Sequence, residues 1–260
     1  MGINFLEVNF LQFTHDLFLY NSRITEWDIT KANVSLMRYY NLYPLGKIAR
    51  LERLPKSKRE VEVGILCRDD KQFNKALSKS FNDIMVEFLE ANDLDKDEDV
   101  VSIKKDAAFV INKDIKQSVF GPVRFLPKNE YRGFVKLDRY EFYLKSDYTF
   151  DVKGWSKAKD IHLHDNGMLD FLREVFLLCD NYQGDKNVIG SYLSKFADAY
   201  KRRQLEFDYY RPFNDISAFD IDFGDGNVVR LDNIDETYIN EIDISYNYLK
   251  LFLPLMRKLI

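Results

Sequence analysis

The spacing of apolar and polar residues along the chain predicts several β-strands. In Arg23-Ile-Thr-Glu-Trp-Asp-Ile29 the two classes alternate, which places Ile24, Glu26 and Asp28 on one face of a strand that ends near Asp28. Similar patterns predict strands at residues 60–67, on both sides of Lys104-Lys105-Asp106 within 100–113, and in short segments of 123–150. The two strands within 100–113 are expected to form a β-hairpin.

Apolar residues recur at helical spacing in other regions of the chain. The clearest pattern runs from Gln72 to Ala91, where Phe73, Leu77, Phe81, Ile84, Phe88 and Leu89 share one face. Further helices are predicted at residues 31–43, 168–180 and 188–210. The basic stretch from 45 to 59, interrupted by Pro55, is expected to be a loop or a short extended segment, and the acidic stretch 92–99 a solvated turn.

These elements predict an α+β fold. A mixed or antiparallel sheet with packed helices occupies the first part of the chain, and a mainly helical C-terminal region follows. We place the division near residue 155, which gives domains at 1–155 and 156–260.

Composition and charge narrow the classes of protein that fit. With 260 residues, of which 46% are hydrophobic and 15% aromatic, the chain can bury a core of substantial size. The formal net charge is −4, so no overall basic field favours a polyanionic partner. Nucleic acid would have to contact local basic patches: Lys47, Arg50, Arg53, Lys56, Lys58 and Arg59, and later Lys201, Arg202 and Arg203. The first of these patches can equally be a solvated surface.

Cysteine usage and hydropathy indicate a cytoplasmic protein. Cys67 and Cys179 lie far apart in sequence and form neither a disulfide framework nor a zinc motif. The N-terminus lacks the features of a leader peptide, and no apolar stretch approaches the roughly 18 residues that would span a bilayer. We therefore expect a soluble cytoplasmic protein with no membrane partner.

Two aspartates are the strongest candidates for chemistry. Asp28 and Asp106 each lie in or beside an apolar strand, where an ionised carboxylate is costly unless a metal ion or another cation neutralises it. Two-metal phosphoryl transfer uses such carboxylates to hold divalent cations about 3.5 to 4 Å apart. Hard cations such as Mg²⁺ prefer these oxygen ligands.

Four segments, taken in order, resemble the palm domain of family B DNA polymerases. Glu26-Trp-Asp-Ile-Thr-Lys-Ala-Asn-Val-Ser35 resembles the first palm motif, and Val101-Ser-Ile-Lys-Lys-Asp-Ala-Ala-Phe-Val110 resembles the Asp-Thr-Asp-Ser hairpin. Phe125-Leu-Pro-Lys-Asn-Glu-Tyr131 resembles the Lys-x-x-Tyr element, and Asp151-Val-Lys-Gly154 resembles the later Lys-Gly pair. The resemblance covers roughly residues 20–155. It implies a palm-like sheet, with the helical remainder in the place of a thumb.

The resemblance also implies roles for particular residues. Asp28 and Asp106 would be catalytic ligands of Mg²⁺ or Mn²⁺, and Asn33 would lie beside the nucleotide sugar, where the family has a tyrosine. The residues expected to contact the triphosphate are Lys56, Lys58 and Arg59, and those expected to contact primer-template are Lys128, Tyr131, Lys153, Lys201, Arg202 and Arg203. The implied protein is a reduced nucleic-acid polymerase core, viral or part of a split enzyme. If viral, it would act in the host cytoplasm.

Several departures from the family keep other functions open. Lys104 replaces the first aspartate of the hairpin, and no Lys-x-x-x-Asn-Ser-x-Tyr-Gly motif lies between the two aspartates, so a second subunit could supply the fingers. Too few residues precede Asp28 for the usual exonuclease domain. The alternatives are an inactive palm-derived subunit that binds nucleic acid or completes an assembly, and an unrelated viral structural protein.

Four candidate features also have simpler structural interpretations. Asp28 could cap a helix, and Asp106 could be a turn residue neutralised by its neighbouring lysines. His162-Leu-His164 could present two imidazoles on one strand face, but no third metal ligand has a recognisable spacing. Asp222-Phe-Gly-Asp-Gly226 fits neither a kinase nor a calcium motif and is predicted to be a turn between two strands.

Overall fold

The computed structural model describes residues 11–12, 18–137, 140–154, 161–210, 220–222, 228–230 and 252–259. The chain forms two compact units, and it contributes to the second unit in two separate segments. Of the described residues, 11–12 and 22–130 belong to the first unit, and 18–21 and those from 131 onward belong to the second. The units therefore divide earlier along the chain than the position near 155 that the sequence indicated.

A six-stranded sheet organises the first unit. Its strands are β1 (Leu11–Gln12), β3 (Ile24–Ile29), β4 (Val100–Lys104), β5 (Ala107–Ile111), β6 (Val119–Phe120) and β7 (Val123–Tyr131). They lie in the order β1-β4-β5-β3-β7-β6. The pairs β1–β4, β4–β5, β3–β5 and β6–β7 are antiparallel. The predicted strand that ends near Asp28 and the predicted hairpin around Asp106 are both confirmed.

Helices α1 (Ala32–Tyr39), α2 (Leu45–Glu52), α3 (Lys56–Asp69) and α4 (Lys71–Ala91) connect β3 to β4. Helix α4 begins where Asp70 accepts hydrogen bonds from the backbone amides of Gln72 and Phe73, both at 2.9 Å. Its apolar face forms the core with the sheet, and the ring of Phe88 stacks on Phe125 with centroids 4.1 Å apart. The predicted helix from Gln72 to Ala91 is thus confirmed.

The prediction for residues 45–67 was wrong. Residues 45–59 were expected to form a loop or a short extended segment and 60–67 a strand, but they form α2 and most of α3. Pro44 and Pro55 are the N-cap residues of these helices, a position where the missing N–H of proline costs no intrahelical hydrogen bond. The alternation of Val61, Val63 and Ile65 suggested a strand, yet only Val63 is buried.

The acidic segment after α4 is less solvated than predicted. Asn92 is 4% exposed and Asp99 is 7% exposed, so both ends of the predicted solvated turn are buried. Asp99 accepts a hydrogen bond from the backbone amide of Asp95 at 2.9 Å, which closes the turn on itself. Both buried side chains therefore belong to the folded framework of the first unit.

The second unit contains a four-stranded sheet and helices. Its strands β2 (Phe18–Leu19), β8 (Gly133–Leu137), β9 (Tyr140–Leu144) and β10 (Phe150–Lys153) lie in the antiparallel order β10-β9-β8-β2. Its helices are α5 (Ile161–Asn181), α6 (Lys186–Lys201) and α7 (Leu253–Leu259), with a 3₁₀ turn at Phe207–Tyr209. Aromatic rings fill the core, and the centroids of Phe171 and Phe196 lie 4.6 Å apart.

The predicted α+β class is confirmed, and the C-terminal helices agree with the predicted helical region. Two smaller predictions had different outcomes. The backbone of His162 and His164 belongs to α5 rather than to a strand, and their side chains lie outside the described residues. Short strands β11 (Asp220–Asp222) and β12 (Val228–Arg230) pair antiparallel as expected, and residues 223–227 between them lie outside the described chain.

Candidate functional site

The ends of two neighbouring strands bring Asp28 and Asp106 to one pocket. Asp28 pairs across the sheet with Ala107, the residue after Asp106 in the turn between β4 and β5. The backbone amide of Ile29 donates to the carbonyl oxygen of Asp106 at 2.9 Å. Both aspartates line the same pocket, which encloses about 290 Å³. The backbone of the sheet thus fixes the two residues beside each other.

The helix-cap interpretation of Asp28 was wrong. Lys31, not Asp28, is the N-cap residue of α1, and the helix has no side-chain cap. The Asp28 carboxylate instead accepts a hydrogen bond from the Lys128 ammonium on β7 at 2.8 Å. The carboxylate therefore belongs to the pocket and its ion pair rather than to the start of the helix.

Asp106 is a turn residue, but the neighbouring lysines do not dominate its electrostatics. Burial of its carboxyl group and the nearby charge of Asp28 together raise its pKa, although Lys128 and Lys105 offset part of the effect. The residue as a whole is exposed in the turn, and it lines the pocket beside Asp28. A carboxyl group with a raised pKa beside a second carboxylate is one whose ionised form a bound cation would stabilise.

Basic side chains form another part of the pocket wall. Lys56 and Arg59 project from the first turns of α3, and both line the pocket together with Lys31 and Asn33 at the start of α1. Lys58, the third residue expected to contact a triphosphate, is exposed on α3 and is absent from the described lining of the pocket. Lys56 lies 3.8 Å from Glu60, one helical turn further along α3.

A second ion pair extends the cluster along β3. Glu26 lies on the same strand face as Asp28, and its side chain is 4% exposed. The Lys128 ammonium lies 3.5 Å from Glu26 Oε1, and Asn129 donates its amide to Glu26 Oε2 at 2.6 Å. The hydrogen bond to Asp28 raises the pKa of Lys128, so this ammonium is charged at neutral pH.

The remaining predicted nucleic-acid contacts lie in the second unit or at its border. Tyr131 is 1% exposed, and its hydroxyl donates to Asp151 at 2.7 Å. Lys153 pairs with the same carboxylate at 2.9 Å. Burial alone would raise the pKa of Asp151, but the hydrogen bonds from Lys153 and Tyr131 lower it. The Tyr131 ring is therefore interior, and the Lys153 charge is already paired.

The basic patch Lys201-Arg-Arg203 lies at the C-terminal end of α6. Lys201 is the last residue of the helix, Arg202 is its C-cap, and Arg203 adopts a left-handed backbone with φ of 56°. Cations in this position interact favourably with the helix dipole, which is a structural reason for their presence.

Asp28 and Asp106 are two carboxylates of the pocket that could together bind a divalent cation. Asp28 supplies carboxylate oxygens from the end of β3 and Asp106 supplies them from the turn between β4 and β5, and hard cations prefer such oxygen ligands. Within the described ranges, no group of three or more His, Cys, Asp or Glu side chains is placed to hold a metal ion. Any cation bound there would keep water or substrate oxygens as its further ligands, which is the usual behaviour of Mg²⁺.

Sequence reasoning missed Lys31 and Glu60 in the pocket wall, and the roles of Glu26 and Asn129 beside it. The alternation along β3 did place Glu26 on the face of Asp28, which was a usable signal. Lys31 has a left-handed φ of 49°, a conformation that the sequence does not reveal for a lysine. Its side chain is brought to the pocket by this local backbone.

The described residues define an α+β protein with a pocket that joins two strand-borne aspartates to helix-borne cations. The chain belongs to the bacteriophage PBS1 gene 130 protein family, whose sequence profile matches residues 4–260. Membership of this family supports a viral origin. No curated protein matches the chain. Within the described part of the chain, no helix combines the length and apolarity needed to cross a membrane.

Proposed function

We propose that this phage protein is a metal-dependent nucleotidyltransferase, the core or a subunit of a template-directed nucleic-acid polymerase. The observation that carries the proposal is the shared pocket of Asp28, Asp106, Lys56 and Arg59. Three separate stretches of sequence supply these residues. The two aspartates provide negative charge for metal ions, and Lys56 and Arg59 provide positive charge for phosphate groups, as phosphoryl transfer requires. The order of strand, helices and hairpin also matches the palm-like arrangement suggested by the sequence.

Asp28 and Asp106 are the residues that would hold Mg²⁺ or Mn²⁺. When bound, such cations activate an attacking hydroxyl and neutralise the triphosphate. The raised pKa of Asp106 supports this role, because burial and the nearby Asp28 carboxylate both disfavour its ionised form, which a bound cation would stabilise. The pairing of β3 with β5 places the two residues beside each other before any ligand arrives.

Lys31, Lys56 and Arg59 would contact the triphosphate. All three line the pocket, and the first turn of α1 faces it through Ala32 and Asn33. Since α1 has no side-chain cap, its first backbone amides are available to phosphate oxygens, with the helix dipole adding to the attraction. These cations come from this chain, so the proposal needs no second subunit to supply them. Asn33 would lie nearest the sugar, and it would influence the choice between ribose and deoxyribose.

Primer-template would approach the exposed side of the pocket. Lys128 is about half exposed, with 53% of its side chain accessible, and can reach a phosphate as well as Asp28. Lys153 and Lys201 to Arg203 remain candidate backbone contacts in the second unit, and contacts of this kind are independent of base sequence. As a phage protein, the enzyme would act in the cytoplasm of the host.

Primer extension tests the proposal directly. A labelled primer on a template is incubated with the full chain, Mg²⁺ or Mn²⁺, and either dNTPs or NTPs. The critical variants are Asp28→Asn and Asp106→Asn, and the matched control is Asp97→Asn, which removes a 59% exposed carboxylate elsewhere in the first unit. Extension that both pocket variants lose and the control retains supports a polymerase. Extension that survives in either pocket variant contradicts the assigned role.

A second candidate is an inactive palm-derived subunit that binds nucleic acid or completes a larger assembly. The ion pair between Lys128 and Asp28 favours it, because the ammonium already neutralises one of the two carboxylates. Absence of extension, together with nucleic-acid binding that is equal in the wild type and both aspartate variants, would select this candidate.

A further inference from the structure

The Lys128 ammonium lies where a cation bound to Asp28 would compete with it. Its Nζ is 2.8 Å from Asp28 Oδ2 and 3.5 Å from Glu26 Oε1, so two carboxylates on one strand face share one ammonium. Asp28 is partly accessible, with 27% of its side chain exposed, whereas Glu26 is enclosed at 4%. The two carboxylates therefore differ in their access to dissolved ions.

Glu26 is suited to retain the ammonium rather than to bind an incoming ion. A buried carboxylate requires compensation, and Glu26 receives it from the Lys128 charge and from the Asn129 amide at 2.6 Å. Asn129 follows Lys128 directly on β7, so the same strand positions both donors. The flexible stem of lysine lets its ammonium move between Asp28 and Glu26 while its backbone stays in the sheet.

We propose that Lys128 is a tethered counter-ion that competes with divalent cations for Asp28, with Glu26 as the anchor that receives the displaced ammonium. In the absence of a divalent cation, Lys128 limits the repulsion between Asp28 and Asp106. A divalent cation would displace the ammonium from the Asp28 oxygen, because its charge is higher. The ammonium would then move toward Glu26. Lys128 thus sets the cation concentration at which the pocket fills. The inference rests on the proposed cation site.

Mn²⁺ binding to the full chain, measured from the electron paramagnetic resonance signal of free Mn²⁺, tests this inference without an activity assay. Lys128→Met should bind Mn²⁺ roughly tenfold more tightly than the wild type, since it removes a half-exposed competing charge. Lys79→Met is the matched control, because it removes another exposed lysine that pairs with an aspartate, Asp83, at 2.6 Å. The control should leave the affinity unchanged.

Two further variants keep the result interpretable. Lys128→Gln removes the charge but keeps a donor for Glu26, so it should tighten binding even if Lys128→Met folds poorly. Asp28→Asn should weaken binding, which assigns the measured site to the pocket.

Each outcome separates the competition from the proposed function. Binding that Asp28→Asn weakens but that Lys128→Met and Lys128→Gln leave unchanged overturns the tethered counter-ion and retains the cation site. Binding seen only in the Lys128 variants supports the competition and favours the inactive subunit. No Mn²⁺ binding in the wild type or in either Lys128 variant overturns both proposals.

Discussion

Asn92 is expected to be a major source of stability in the first unit. It is the C-cap residue of α4, and its side chain forms four hydrogen bonds with backbone groups. Its amide donates to the carbonyl oxygens of Phe88 at 2.7 Å and Gln117 at 2.9 Å. Its side-chain oxygen accepts from the backbone amides of Lys116 at 2.7 Å and Gln117 at 2.8 Å. The residue therefore joins the end of α4 to the segment before β6.

We expect Asn92→Ala to lower the free energy of unfolding by about 2 to 4 kcal/mol. Each intramolecular hydrogen bond contributes a net 0.5 to 1.5 kcal/mol, roughly, and a buried group left without a partner costs more. The loss of four hydrogen bonds gives an upper limit of about 6 kcal/mol on the same scale. The actual loss should be smaller, because water can replace the side chain as a partner of the partly exposed backbone groups. Alanine also leaves a small void where a 4% exposed side chain had been.

Urea denaturation followed by tryptophan fluorescence measures this loss. The sequence contains two tryptophans, so a Trp155→Phe background leaves Trp27, on β3 in the first unit, as the reporter. Asn74→Ala is the matched control, because Asn74 is an exposed asparagine within α4 and alanine favours helix. A loss below about 1 kcal/mol for Asn92→Ala would refute the reasoning, since it would equal the value of a single hydrogen bond.

Three further predictions concern packing, backbone conformation and charge. Gly133→Ala should destabilise the second unit by about 1 to 3 kcal/mol, because its Cβ would lie 2.5 Å from Phe176 Cε1. Gly190→Ala is the control, because its added Cβ on α6 would have no neighbouring atom within 4 Å, and its melting temperature should be no lower than that of the wild type. Equal melting temperatures for the two variants would contradict the packing argument. Lys31→Gly should raise the free energy of unfolding by about 1 kcal/mol, because the backbone φ of Lys31 is 49°. The same variant should bind nucleoside triphosphate more weakly in a fluorescence titration, and unchanged binding would show that Lys31 is not part of the site. Asp106→Asn should be more stable than the wild type at pH 7, because burial and the neighbouring aspartate raise the pKa of the native carboxyl group above 3.8. As the pH falls from the raised pKa toward 3.8, the wild-type carboxyl group becomes protonated and the difference in urea midpoint should vanish; a constant difference would contradict this.

The parts of the fold that the sequence predicted are those with a clear periodic apolar face. Helix α4 is the clearest case, because Phe73, Phe81 and Phe88 are all buried on one side. Helix α3 escaped prediction for the opposite reason. It buries only Val63, so it has no apolar stripe. The exposed Val61 and Ile65 fall at alternate positions with Val63, in a pattern that is typical of a strand. In such a helix the preceding proline is the more reliable signal.

Only part of the candidate site was accessible to sequence reasoning. The two aspartates could be found because each lies in or beside an apolar strand, and charged residues are unusual there. The pairing of Lys128 with Asp28 could not be found, because the two residues are separated by 100 positions and meet only through the order of strands in the sheet. Asn92 was assigned to solvent for a similar reason, since its partners lie 24 and 25 positions further along the chain.

The discontinuous second unit has a consequence for synthesis of the protein on the ribosome. Its edge strand, β2, is synthesised before residues 22–130 of the first unit. The strand that pairs with β2, β8, is complete only when residue 137 has been added. The ring of Phe18 must wait even longer for Phe176, on which it stacks with centroids 4.9 Å apart. The first unit has all of its described strands once residue 131 has emerged, so it can fold during translation. The second unit must wait for its helices, with its first strand held apart until then.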